Sequence, residues 1–488
     1  MAQIAMNVAG YLTKASTKCA KRQVPESSLK VNVADVQGLV FRGYGSLRHC
    51  SYLLLGFSDA PRGCAWLRGV RARVTAGESA TRQAAVHVAF THPGLRALGL
   101  SEATLSEFSR AFILGMTDAN TSRFLGDVEE SAPERWDWGG DKTPTVHALL
   151  ALFADTATRL TGLEVEHGTE LRAQGIDVIR TLRTTDLGGV EHFGFTDGIS
   201  QPAIEGYHTS DSKLHRVKPG EFLLGYANEY GLCTERPLLA ASADPFARLP
   251  LDVEGTPRHD LGRNGSYLVF RQLRQNVSLF RRTLDALSRL PDGSTDVAAR
   301  NRLAAQMVGR WPSGAPLVLW PEHDDPSKLA SNEFSYHALD PDGARCPLGA
   351  HVRRANPRDS LDPNPGTEDS LAVNRRHRLI RRGRGYGPRL EEGVSDAVDR
   401  GLYFIALNAN IARQFEFIQH SWVNDPRFNG LFQQADPLVG ALHDNQFTID
   451  TDTSPKRCVR LPRFVSVAGG AYFFMPGLRA LRFLSELS

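Results

Sequence analysis

Four short apolar runs punctuate the chain, and each passes directly into a helical pattern of hydrophobic and polar positions. Residues 51–57 (SYLLLGF) lead into a helix near 60–67. Residues 86–91 place Val86, Val88 and Phe90 on one strand face and lead into a helix near 93–98. Residues 266–272 (SYLVFRQ) lead into 275–287, and 402–408 (LYFIALN) into 410–422. The last of these helices aligns Ile411, Phe415, Ile418 and Trp422, which predicts one buried stripe. Two strand–helix units per half predict an α+β fold. Its form would be two ferredoxin-like βαββαβ domains with facing antiparallel sheets, of the dimeric α+β barrel type.

The halves are unequal. Their two units start 35 residues apart in the first half and 136 apart in the second, so the second half carries a long insertion. That insertion holds a predicted helix over 297–311 and two polar, Pro/Gly-rich loops at 321–342 and 356–369. Ordered loops of this length are often functional. Residues 1–30 read as a tail, 31–213 as the N-terminal domain and 214–488 as the C-terminal domain, with the boundary near 206–218.

Composition narrows the class. The 488 residues are 41% hydrophobic and 23% charged, as in a globular protein with a sizeable core. A net charge of +3 gives no support to nucleic-acid or polybasic membrane binding. No apolar run is long enough for a membrane span, and residues 1–22 lack the apolar core of a secretory signal. A cytoplasmic location is therefore expected. The six scattered cysteines form no CxxC pair and are expected to be free thiols.

Three segments carry candidate chemistry. Gly194-Phe195-Thr196-Asp197-Gly198 sets one carboxylate in a glycine-flanked turn. Asp197 there is either a tuned proton shuttle or a plain turn aspartate, because Asp-Gly is itself a turn signal. CPLGAHVRRANPRD at 346–359 delivers His351 from a small, apolar approach, which suits axial ligation of haem iron or, equally, a hydrogen-bonded core histidine. IRRGRGYGP at 380–388 is either a solvated basic loop or a guanidinium fixed to stabilise negative charge.

Together, in this order, the three segments resemble the dye-decolorizing peroxidases, a haem peroxidase family. Further matches are DVQGLV at 35–40, MVGRWP at 307–312, GLYF at 401–404 and GGAYFF at 469–474, so the resemblance spans about 33–480. Length and loops are similar to the longer branch of the family. The resemblance implies one haem b per chain in the C-terminal half, with His351 as its proximal ligand. Asp197 would be the distal proton shuttle, beside Gly198 and Ile199, and Arg381 the distal arginine, with Arg382 as the alternative if the register slips by one. Leu402 and Phe404 would line the distal pocket, Asp436 would hydrogen-bond the proximal histidine, and Arg358 would meet a haem propionate.

The implied partners are hydrogen peroxide and dyes, phenols or other aromatic electron donors. Exposed sheet edges leave a homo-oligomer open. The alternative activity is a haem-binding or haem-handling protein with little turnover, which would need the axial ligand but not the distal acid. A carboxylate base titrates below a histidine, which predicts an optimum on the acid side of neutrality. The six tryptophans and Tyr386 are the available electron relays, most of them expected in the core. Arg384-Gly385 and Leu348-Gly349 depart from the family pattern, in the distal loop and before the proximal histidine.

Overall fold

A computed structural model of the chain describes residues 30–209, 212–329, 331–442, 444–449 and 457–488. The expected tail over 1–30 lies almost wholly outside them.

The first half runs β1 (His49–Gly56), α1 (Ala60–Val70), β2 (Ala84–Phe90), β3 (Ala148–Ala154), α2 (Ala157–Ala173) and β4 (Asp177–Arg183). The second half runs β5 (Ser266–Gln275), α3 (Val277–Leu287), α4 (Val297–Val308), α5 (His351–Ala355), β6 (Ile380–Arg381), β7 (Arg384–Tyr386) and β8 (Gly401–Asn408). It closes with β9 (Val465–Met475) and α6 (Leu478–Ser485). The strand order is β6-β8-β5-β9-β2-β3-β1-β4, with β7 also on β8. Each half thus keeps the spatial order second, third, first, fourth, and every ladder of this sheet is antiparallel.

The α+β expectation holds, with one correction. The two facing sheets are one nine-stranded sheet, joined by the single pair Phe474–Phe90. The sheet curls until its halves face each other. Tyr52 of β1 meets Phe270 of β5 with ring centroids 5.1 Å apart and Tyr403 of β8 at 5.8 Å. On the far side Thr185 N–H donates to Gly385 O at 2.9 Å, where the segment after β4 touches β7.

Strand alternation then sorts the side chains. In β8, Tyr403, Ile405 and Leu407 enter the core between the halves, while Leu402 and Phe404 line a cavity on the other face. In β5, Phe270 faces that core, and Arg271, Leu273 and Gln275 face the cavity.

Helix ends follow local chemistry. The predicted start at 275 moves to Val277, because Gln275 still pairs with Val465 and Asn276 caps the helix by accepting from Leu279 N–H at 3.0 Å. α4 stops at Val308 rather than 311, because Gly309 takes a left-handed φ of +92° and a Cβ there would lie 2.4 Å from Val352. The segment predicted as a helix over 410–422 is π-helical over Ala412–Glu416 and Ile418–Asn424. Its predicted stripe of Ile411, Phe415, Ile418 and Trp422 is buried. Among the described residues Cys50, Cys64, Cys233, Cys346 and Cys458 are free, and no helix is long and apolar enough to cross a membrane.

Candidate active site

A cavity of about 320 Å³ lies against the outer face of the second half-sheet. The loop at 191–200, α4, α5, β6 and β8 all contribute to its walls.

His351 opens α5 and lines this cavity. The two arginines that follow it are clamps. Arg353 donates to Asp340 Oδ2 at 2.8 Å, and Arg354 donates to the carbonyls of Trp422 and Gln434. The second clamp draws the 422–436 segment in behind the imidazole. Asp436, fully buried, accepts from His351 Nδ1 at 2.8 Å through Oδ2, and from Leu438 and Val439 N–H at 2.9 and 3.0 Å through Oδ1. Burial opposes a charge on His351, but the Asp436 carboxylate outweighs it and raises the imidazole's proton affinity. Burial alone would raise Asp436, yet His351, the Val439 N–H and the nearby Arg354 guanidinium hold it below the usual carboxylate range. With Nδ1 engaged, Nε2 is the nitrogen left for a ligand.

Asp197 lies on the 191–200 loop. Its Oδ1 accepts from Gly198 N–H at 2.6 Å and sits 3.6 Å from Arg381 Nη1. Arg381 also donates from Nη2 to Ile199 O at 2.7 Å, and its backbone N–H to Gln201 Oε1 at 3.0 Å. Gly198 is glycine for its φ of +81°, since a Cβ there meets nothing within 4 Å. Ile199, Leu402 and Phe404 line the cavity, and Phe404 leans on Phe415 at 6.1 Å between centroids. Arg382, the alternative, points away and donates to Leu39 and Val40 carbonyls at 2.8 Å each. Of these two neighbours, Arg381 is therefore the one that lines the cavity.

One end of the cavity is cationic. Arg358 is buried, donates to Asn332 O at 2.6 Å and stacks over Phe334 at 3.7 Å. Arg378 donates to Ser200 O at 2.8 Å, and Arg310 to Gly314 O at 2.7 Å. Among the described residues none of the three has a carboxylate within ion-pairing distance. Burial, aggravated by neighbouring guanidinium groups, pushes Arg358 down to about 10 and Arg378 to about 9, and lowers Arg310. Three buried cations without counter-charges are costly unless an anion joins them.

The sequence singled out Asp197, Arg381, His351, Asp436, Arg358, Gly198, Ile199, Leu402 and Phe404; the fold brings them to the cavity, except that Asp436 lies directly behind it and Gly198 does not line it but donates its N–H to Asp197. Arg310, Arg378 and Glu191 escaped it. Glu191 lines the cavity, and its burial, with repulsion from Asp197, raises its carboxyl above the ordinary range.

No family model matches the chain. Individual proteins do. The dye-decolorizing peroxidase of Mycena epipterygia is 32% identical over 449 residues, covering 81% of this chain and 75% of that one. The multifunctional dye peroxidase of an Amycolatopsis species is 30% identical and covers 88% and 91%. A solved dye-decolorizing peroxidase in complex with 2,6-dimethoxyphenol superposes with a TM-score of 0.75 at 26% identity, covering 92% and 98%. The chain belongs to the dye-decolorizing peroxidases.

Within a dye-decolorizing peroxidase, buried aromatic residues bear on how electrons arrive. Trp66, Trp136, Trp138, Trp311, Trp422 and Tyr386 are all buried, as expected for core residues, and Trp320 is half-buried. The departures from the family pattern also acquire places. Arg384 donates to Gly43 and Tyr44 carbonyls at 3.0 and 2.8 Å, bracing the N-terminal segment against β7. Gly349 packs near Phe447, 3.4 Å from where a Cβ would sit.

Proposed function

We propose that this dye-decolorizing peroxidase takes one haem b in the cavity, where His351 Nε2 would hold the iron and Arg310, Arg358 and Arg378 would supply counter-charge to the propionates. The residues fit that group. An imidazole with its back nitrogen tied to a carboxylate is oriented and electron-rich, as metal-ligating histidines are. Three buried guanidinium groups short of counter-charge match a dianionic edge, and Leu402, Phe404 and Leu273 offer an apolar wall. When bound, haem supplies the redox-active iron that takes both oxidising equivalents from peroxide and passes them singly to aromatic donors.

The chain's own residues handle protons and charge. Asp197 is placed to accept a proton from hydrogen peroxide and to return it to the departing oxygen, which would leave as water once bound haem supplied the two electrons for O–O cleavage. Arg381 sits 3.6 Å from that carboxylate and offsets the negative charge that grows as the O–O bond lengthens. Its bond to Ile199 O holds it at this spot through the reaction. Leu402 and Phe404 keep the site narrow and limit water, so hydrogen peroxide enters and large dyes do not. Dyes, phenols and other aromatic donors then give electrons one at a time from outside.

The observation that carries this reading is the meeting, in one cavity, of His351 backed by Asp436 with the Asp197–Arg381 pair. A haem carrier would need only the first. The test is a peroxide-dependent dye assay on wild type, Asp197→Asn and His351→Ala. His351→Ala is expected to lose haem. Asp197→Asn is expected to keep it while reacting with peroxide about 10²- to 10⁴-fold more slowly. A wild-type rate for Asp197→Asn would remove the proton-shuttle role.

A further inference from the structure

Asp197 sits on an intrinsically loose loop. Gly188, Gly189, Gly194 and Gly198 all adopt positive φ, between +66° and +104°, and a Cβ at any of them meets nothing within 4 Å. These glycines give the loop its path but no packing, and each has more conformational freedom to lose than other residues. Some other contact must hold Asp197 to the tolerance that proton transfer demands.

Three anchors do so. Thr196 ties its N–H and Oγ1 to Pro312 O, both at 3.0 Å, and Asp197 N–H donates to Gly189 O at 3.1 Å. The third is Glu191. Its Oε1 accepts from Phe195 N–H and its Oε2 from Phe193 N–H, each at 2.9 Å. Its own backbone closes the same turn, with N–H to Phe195 O at 2.9 Å and O accepting from Gly194 N–H at 3.0 Å. The carboxylate is moored in turn to the sheet, because Gln275 at the end of β5 donates from Nε2 to Oε2 at 2.7 Å. One side chain thus joins a rigid strand to the loop two residues before the reacting carboxylate. A half-buried carboxylate with no guanidinium partner among the described residues is costly, and a backbone staple alone could have been built from neutral groups.

We propose that Glu191 is the positioning residue for Asp197: it grips the 193–195 turn from β5 and sets the carboxylate where it can accept the peroxide proton. This rests on the proton-shuttle reading of Asp197. Displacement of a reacting group by about 1 Å can cost about 10²-fold in rate. In Glu191→Gln the amide offers one oxygen to two N–H groups and turns a second donor toward the turn, so the staple opens.

The test uses the haem-loaded enzyme and hydrogen cyanide, which must surrender its proton to a base as it binds. The association rate is followed at the Soret band, without turnover, for wild type, E191Q, D197N and the double variant. E191Q is expected to slow association about 10-fold or more in the wild-type background and by less than about twofold in the D197N background, because Glu191 acts through Asp197. Haem content and oxidation of donors by peroxide-treated enzyme should stay at wild-type levels, which a general loss of structure would not allow. If E191Q folds poorly, Gln275→Leu removes the mooring instead and should slow association in the same selective way. Equal slowing in both backgrounds, or a wild-type rate for E191Q with D197N slow, overturns the positioning role. A wild-type rate for D197N overturns the proton shuttle itself.

Discussion

Asp436→Asn tests how His351 presents Nε2, the nitrogen proposed to ligate iron. In the wild-type site one carboxylate oxygen serves two backbone donors, Leu438 and Val439, and the other serves His351 Nδ1 at 2.8 Å. Asparagine has one oxygen to offer. Aiming its NH2 at the two backbone N–H groups would set donors against donors, so the oxygen stays there and the NH2 faces His351. The imidazole then prefers the tautomer with Nδ1 bare and the proton on Nε2, and Nε2 can no longer donate a lone pair into the cavity. Ligating iron requires the other tautomer, with Nδ1–H facing a donor. The loss is that of one hydrogen bond to a charged acceptor, about 1.5–3 kcal/mol, or about 10- to 150-fold in haem affinity. The general cost of losing a partner behind a metal-bound histidine, about 10- to 100-fold, agrees.

Transfer of haem to an excess of a scavenging globin measures this directly. D436N should release haem faster by that factor, and the haem it retains should have a higher reduction potential, because the ligand is less electron-donating. Haem retention and potential both at wild-type values would refute the tautomer argument and leave Asp436 as a packing residue.

Two further outcomes follow from buried charges. Arg378→Met removes a guanidinium that burial pushes down to about 9 and that holds one strong hydrogen bond, to Ser200 O. The apoprotein should gain about 1 kcal/mol or more in stability while the holoprotein loses haem more readily, and calorimetry of both forms detects the opposite signs; equal shifts in both would refute it. His87, fully buried, has a pKa pushed down to about 3 by burial against an ordinary 6.5. Between those values the unfolded chain binds the extra proton, so stability falls as pH drops from about 6.5. The loss attributable to His87 is up to about 3 kcal/mol between pH 7 and pH 4. His87→Gln, which can still meet Tyr44 OH, should flatten that limb in denaturant titrations, and an unchanged slope would refute the assignment.

What the sequence made legible is what chemistry writes locally. Asp197, His351 and Arg381 sit in short glycine-rich or apolar contexts that constrain a backbone, and family resemblance carries such contexts well. Strands with a polar neighbour or a following cap, such as β1 and β5, were readable too. β3 was not. Its ALLALFA run is buried at every position, with Leu150 and Leu152 packed on the helix side and Leu149 and Phe153 in the core between the halves. A strand buried on both faces has no alternation to show, and a short apolar run reads equally well as a helix. β4 fails for the opposite reason, being exposed at most positions and held in place by its register with β1.

The same division governs the active site. Arg378 looks like any other arginine in a chain with 57 basic residues, and Arg310, though inside the matching MVGRWP segment, carries no local sign of its role; burial without a carboxylate among the described residues distinguishes both. Glu191 is separated from Gln275 by 84 positions, so no local pattern joins them, yet their 2.7 Å bond moors the loop that carries Asp197. The groups proposed to react were readable because the chemistry restricts their residue type. The groups that aim them act through distance and solvent exclusion, which arise only when β5, the 191–200 loop and the insertion converge on one cavity. The proposed role of Glu191 makes the consequence for this enzyme specific: a variant that preserves every motif residue is expected to lose peroxide chemistry when the mooring to β5 is cut, because the motif's own anchor at Thr196 holds only part of the geometry of Asp197.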